Sequence, residues 1–72
     1  MTAQEYVDMK FSGKVEWMEN HTGEEMIELG NAVIALGESM PNHVAETFVL
    51  RKKILSFGST LYTSGKSKSG AW

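Results

Sequence analysis

The chain contains no cysteine, one proline (Pro41) and one arginine (Arg51). Without cysteine, neither a disulfide nor a thiolate metal site can staple it. The two histidines, His21 and His43, cannot build a structural zinc site without carboxylate help. No run approaches the ~18 consecutive apolar residues of a membrane-spanning helix. No basic region followed by an apolar stretch marks a signal peptide, so a cytoplasmic protein is expected. Strong charge of either sign is also missing. A net charge of −2 gives no electrostatic case for nucleic acid or an anionic membrane as the main partner. A chain of 72 residues buries only roughly 60% of its unfolded surface. Stability must then come from regular helix packing or from self-association. With 42% hydrophobic and 22% charged residues, the composition is that of an ordinary globular domain.

Against these scarcities stand seven glycines. Gly23, Gly30 and Gly37 fall one heptad apart inside a segment that otherwise reads as an amphipathic helix. A glycine inside a helix costs about 1 kcal/mol relative to alanine. Gly30 and Gly37 therefore mark a stripe where side chains are unwanted and another helix backbone comes close. The partner backbone lies either in the same chain, as a tight hairpin, or in another chain, as a helix pair.

Thr2-Ala3-Gln4-Glu5 has the form of a capping box, and a first helix is expected from about Ala3 to Ser12, with Gly13 as C-cap or kink. Lys14 to Met18 suits either a strand, paired with Tyr6–Phe11 as a hairpin, or a further helical stretch in which Val15 and Met18 extend a Val7/Phe11 stripe. Helix is favoured, because the capping box is a definite start signal and a lone two-stranded hairpin is marginal. Thr22-Gly23-Glu24-Glu25 is a second capping box, opening a helix to about Ser39. Met26, Leu29, Val33, Leu36 and Met40 form its seam, Ile27 and Ile34 a flanking row, and Gly30 and Gly37 lie between the two. Pro41 suits the first turn of a third helix, about Asn42 to Thr63. Its seam is Leu50, Ile54, Phe57 and Leu61; its flanking row is Phe48, Leu55 and Tyr62; Val44, Arg51 and Gly58 lie between. Residues 64–72, rich in Gly, Ser and Lys, read as a flexible tail beyond a single helical domain of residues 1–63.

Catalytic signals are scarce. There is no cysteine, no clustered carboxylate–histidine pair and no nucleophile setting, so no enzyme is expected. Ser64-Gly65-Lys66-Ser67 ends like a phosphate loop, but the preceding glycine, Gly58, is too far away and a helix stands where a strand belongs. No cofactor and no metal follow from any motif. Arg51 lies on the apolar arc and needs a carboxylate, a carbonyl or a ligand anion. With Lys52, Lys66 and Lys68 it forms a candidate anion site. Gly30, Gly37, Gly58, Ile27, Ile34, Phe48, Leu55 and Tyr62 are candidate helix-packing or interface positions. Trp72 is a candidate anchor in a neighbour.

The segment Glu25-Met26-Ile27-Glu28-Leu29-Gly30 and the helix Leu50–Leu61 resemble small phage counter-defence proteins of the helical-hairpin type. That resemblance implies an oligomeric sponge that sequesters a phosphorylated or cyclic nucleotide. The residues themselves imply an all-α fold: a short N-terminal helix and a long antiparallel αα-hairpin, assembled as an oligomeric helical bundle. The function expected from them is a small non-enzymatic interaction protein, an adaptor or inhibitor acting on a partner protein as a homo-oligomer. The nucleotide sponge is the alternative.

Overall fold

Two threonines start two of the helices. Thr2 Oγ1 accepts the Glu5 amide at 3.2 Å while the Glu5 carboxylate accepts the Thr2 amide at 2.8 Å. Thr22 and Glu25 repeat the arrangement at 3.2 and 3.1 Å. Each box satisfies backbone donors that a helix start otherwise leaves without partners. The threonine amide, then its hydroxyl, holds the carboxyls of Glu5 and Glu25 below the usual 4.5.

The computed structural model describes residues 1–41 and 45–70. They form four helices and no strand: α1 (Ala3–Asp8), α2 (Phe11–Glu19), α3 (Gly23–Glu38) and α4 (Ala45–Ser69). The antiparallel pair α3 and α4 is the expected hairpin. The expected helix start at Asn42, His43, the stripe position of Val44 and the anchor Trp72 all lie outside the described residues.

Gly23 faces Gly65 and Gly30 faces Gly58. Each step of one heptad along α3 thus matches one heptad backward along α4, which places Gly37 level with Arg51. A Cβ on Gly30 would sit 2.9 Å from Tyr62 N and 3.0 Å from Gly58 O, and one on Gly58 would sit 3.0 Å from Gly30 O. The hydrogen in the side chain's place therefore points at a carbonyl of the facing helix, a weak reciprocal contact of the Cα–H···O kind. At Gly37 the neighbours are the side chains of Leu55 and Ile54. The glycine stripe is thus occupied within the chain.

One side of this ladder holds the core. Met26, Leu29 and Val33 of α3 meet Ile54 and Leu61 of α4, with Tyr6 of α1 laid over them. Val7, Met9, Trp17 and Met18 close the same side. Full burial of a side chain of this size stabilises by about 1.5–3 kcal/mol.

Three expectations need correction. The first break lies at Met9–Lys10, and Gly13 is inside α2. Lys14 reaches back to the carbonyls of Val7 and Met9 and holds that corner. The turn also rotates α2, so Phe11 and Val15 do not continue the Val7 stripe: Phe11 is 79% exposed. Second, α4 does not end at Thr63 but continues to Ser69. Gly65 packs on Gly23 and Lys68 bonds α2, and these tertiary contacts override the low helix propensity of Gly and Ser. Third, Leu50 is exposed and does not complete the seam. The register sets it level with Glu38, the last residue of α3, so little of α3 remains to cover it.

Candidate functional site

The turn at Met9–Lys10 sends α2 back across the hairpin, so one of its edges runs beside α4. Tyr6, Phe11, Lys14, Val15 and Met18 on one side, with Ser56, Phe57 and Thr60 on the other, line an open and mainly apolar groove. Phe11 stands at its rim, and Val15, one turn on, is 38% exposed. Lys53 lies with its ammonium 5.9 Å from the centre of the Phe57 ring. The groove therefore has a mainly apolar floor, with one cation at its edge and a second, Lys14, sunk into it.

Lys14 forms part of that floor and is buried. Its Nζ donates to Val7 O at 3.3 Å and to Met9 O, and sits 4.6 Å from the Phe57 ring centre and 5.7 Å from that of Tyr6. A buried ammonium is costly unless paired. Here carbonyl oxygens and ring faces replace water, and the charge lies at the C-terminal end of α1, where the helix dipole favours it. Burial beside the same cluster pushes the Tyr6 phenol up from its usual 10.0. Nothing in local spacing marks Lys14 for this role, because the carbonyls it meets are grouped only by the fold.

Trp17 packs edge-on against Tyr6, with ring centres 5.9 Å apart at 72°. On its other side it stacks on His21, at 4.0 Å and 16°. His21 Nδ1 lies 2.7 Å from Trp17 O; a carbonyl only accepts, so Nδ1 donates. Among the described residues no group of three His, Asp or Glu side chains is placed to hold a metal.

The four basic residues of the candidate anion site do not meet. Fifteen helical residues separate Arg51 from Lys66, about 22 Å at 1.5 Å per residue. Lys52 lies 5.6 Å from the Phe48 ring centre, and Lys66 lies 5.2 Å from that of Tyr62. Lys68 is placed differently from the expectation. Its Nζ donates to Met18 O at 2.8 Å, Glu19 O at 3.3 Å and His21 O at 2.6 Å. All three ammonium donors are thereby taken up at the C-terminal end of α2, leaving none for an anion. Arg51 is half-buried, and its Nε is buried without a hydrogen-bond acceptor.

Gly30, Gly37 and Gly58 all stand on the ladder between α3 and α4. Gly65 belongs with them. It lies one heptad beyond Gly58, a signal present in the spacing but hidden by the tail-like composition around it. Ile27, Ile34, Leu55 and Tyr62 are partly buried, and Phe48 is exposed. None of these five is among the residues packed on the core. They line the opposite side of the ladder, where Ile27 touches the Gly65 position and Ile34 the Gly58 position.

No protein-family model, no curated protein and no solved structure matches this chain. No helix among the described residues is long and apolar enough to cross a membrane.

Proposed function

We propose that the protein is a small non-enzymatic helical interaction protein, an adaptor or inhibitor that binds a partner protein as a homo-oligomer. The observation that carries this reading is Phe11. A phenylalanine 79% exposed, at the rim of a groove floored by Tyr6, Met18 and Phe57, is a ready-made aromatic anchor beside a receptive surface. Such anchors dominate binding energy at protein interfaces. The ammonium of Lys53 at Phe57 favours a partner segment that brings an apolar side chain with acidic neighbours.

The test compares tagged wild type with Phe11→Glu, both checked for helicity, in capture from the cells that make the protein. Each captured protein is then purified and titrated against both forms. At least one partner is expected to bind wild type directly and to lose tenfold or more in affinity, about 1.4 kcal/mol, on the substitution. Identical binding by both forms would remove the groove from consideration.

A second reading draws on Arg51. A buried Nε without an acceptor suits a phosphate, and the sponge reading places a phosphorylated or cyclic nucleotide there. Calorimetry with a nucleotide panel separates the two readings: a sponge binds a nucleotide and loses it in Arg51→Met, whereas an adaptor binds none.

A further inference from the structure

Across the ladder from the core, the hairpin carries a second apolar row that α1 and α2 leave bare. Ile27 and Ile34 of α3 face Leu55 and Tyr62 of α4 there, and each is only partly buried. The flanks of this row are patterned. On α3, Glu24, Asn31 and Glu38 follow one another at heptad spacing, all exposed. On α4, Lys66, Ser59 and Lys52 follow at the same spacing in the opposite direction. The ladder register sets Glu24 within about one turn of Lys66 in height, Asn31 of Ser59, and Glu38 of Lys52. The face is thus acidic along one edge and basic along the other, with uncharged residues at mid-height. Lys52 and Lys66 are held at the basic edge by Phe48 and Tyr62, whose rings lie beneath their ammonium groups.

A surface with this layout is complementary to itself. A second copy turned by half a revolution about an axis parallel to the helices keeps every height and exchanges left for right. Its α3 then lies over the first copy's α4. Glu24 of each copy meets Lys66 of the other, Glu38 meets Lys52, and the row of Ile27, Ile34, Leu55 and Tyr62 closes against its own image. Each helix also gains an antiparallel neighbour. The other face-to-face arrangement, with the axis across the helices, sets Glu24 on Glu38 and Lys52 on Lys66, which like charges oppose.

We propose that this face is the self-association surface of the protein and that its occupant is a second copy of the same chain in the parallel-axis arrangement. The inference rests on the homo-oligomer reading above and adds to it a surface, a symmetry and a charge code.

The experiment uses three forms of the full chain: wild type, an acid-edge variant (Glu24→Lys with Glu38→Lys) and a base-edge variant (Lys52→Glu with Lys66→Glu). All substituted residues are on the flanks of the face, and helicity is checked by circular dichroism. Wild type is expected to show twice the 8.0 kDa chain mass by light scattering, with a dimer that weakens as salt is raised. Each variant alone is expected to lose tenfold or more in dimer affinity, since facing pairs become like-charged. Mixed one to one, the two variants are expected to recover a heterodimer. A wild-type mass that stays at one chain at every concentration overturns the proposal, as does a dimer that persists unchanged in both variants. A wild type that is monomeric yet binds its partner through Phe11 overturns this proposal together with the homo-oligomer part of the reading above, and leaves the adaptor part standing. A dimer with no Phe11-dependent partner overturns the adaptor reading alone.

Discussion

Leu61 and Tyr62 are neighbours in α4, yet they stand on opposite sides of the glycine ladder. Leu61 is 0% exposed, sealed in the core that α1 and α2 cover. Tyr62 is partly exposed, with the Lys66 ammonium 5.2 Å from its ring centre. On the covered face Met26, Leu29 and Val33 of α3 are buried. The bare face keeps a narrow apolar row between two charged edges. A broad apolar face needs the permanent cover of the same chain. A narrow one with ordered charges suits a partner that comes and goes.

A pair of alanine variants at the two neighbours separates the faces most strongly. Leu61→Ala leaves a cavity in a packed core and is expected to cost about 2–5 kcal/mol. Tyr62→Ala is expected to cost the isolated chain clearly less and to weaken self-association instead. Denaturant unfolding of both, paired with light scattering, checks the contrast. Similar unfolding losses with no change in mass would mean the two faces are not distinct.

The glycine ladder divides the two faces. At an exposed helix position, Gly30→Ala would stabilise by up to about 1 kcal/mol. Here a Cβ meets backbone on the facing helix, so Gly30→Leu is expected to destabilise by about 1–3 kcal/mol through overpacking. A melting temperature at or above that of the parent would show that α3 and α4 are not in close contact at this rung.

The cover itself is fastened by two lysines. Neither α1 nor α2 has a basic residue in its own last turn. Lys14 supplies the cation for the first and Lys68 for the second. Lys68→Met removes three hydrogen bonds to exposed carbonyls that water can replace. Its cost is expected to be about 1 kcal/mol, with faster hydrogen exchange confined to the end of α2. Exchange that rises evenly over the whole chain would argue against a local clasp.

The smallest effect is on acidity. Glu5 and Glu25 have folded pKa values below their unfolded ones, chiefly because threonine amides bond their ionised forms. Their stabilisation is therefore full at neutral pH and is lost as pH falls below the ordinary 4.5 through the folded values. Glu25→Gln, which removes the titrating carboxylate, is expected to shrink the loss of melting temperature between pH 6 and pH 3, a range chosen to bracket carboxylate titration. An unchanged acid slope would remove the Thr22–Glu25 box as a contributor.

What was legible in the sequence was local or periodic. The boxes at Thr2–Glu5 and Thr22–Glu25 join residues three apart, Gly30 and Gly37 lie one heptad apart on α3, and Gly58 falls in the matching stripe of α4. Both kinds of signal survive without knowledge of the fold. Residues 64–69 misled because composition and periodicity disagreed: Ser64, Gly65 and Ser67 weaken a helix intrinsically, while Gly65 continues the heptad. Tertiary packing settled the conflict in favour of helix. The corner at Met9–Lys10 and the exposed Phe11 depend on Lys14 meeting carbonyls behind it. The clasp of Lys68 joins residues about fifty positions apart. Neither leaves a trace in spacing, because each depends on where one helix ends in relation to another.

The glycine ladder also bears on how the chain folds. Where Gly30 faces Gly58, the rung removes helix propensity from both helices of the hairpin at once, by about 1 kcal/mol per glycine. Alone, a helix as short as α3 is marginal even with a good sequence, and with Gly30 and Gly37 inside it is worse. The same glycines allow the backbones to meet only when both segments are already helical. Coil-to-helix conversion and docking are thereby made one event. The hairpin is expected to close as a zipper from the α3–α4 turn outward, with no populated stage in which one long helix stands without the other.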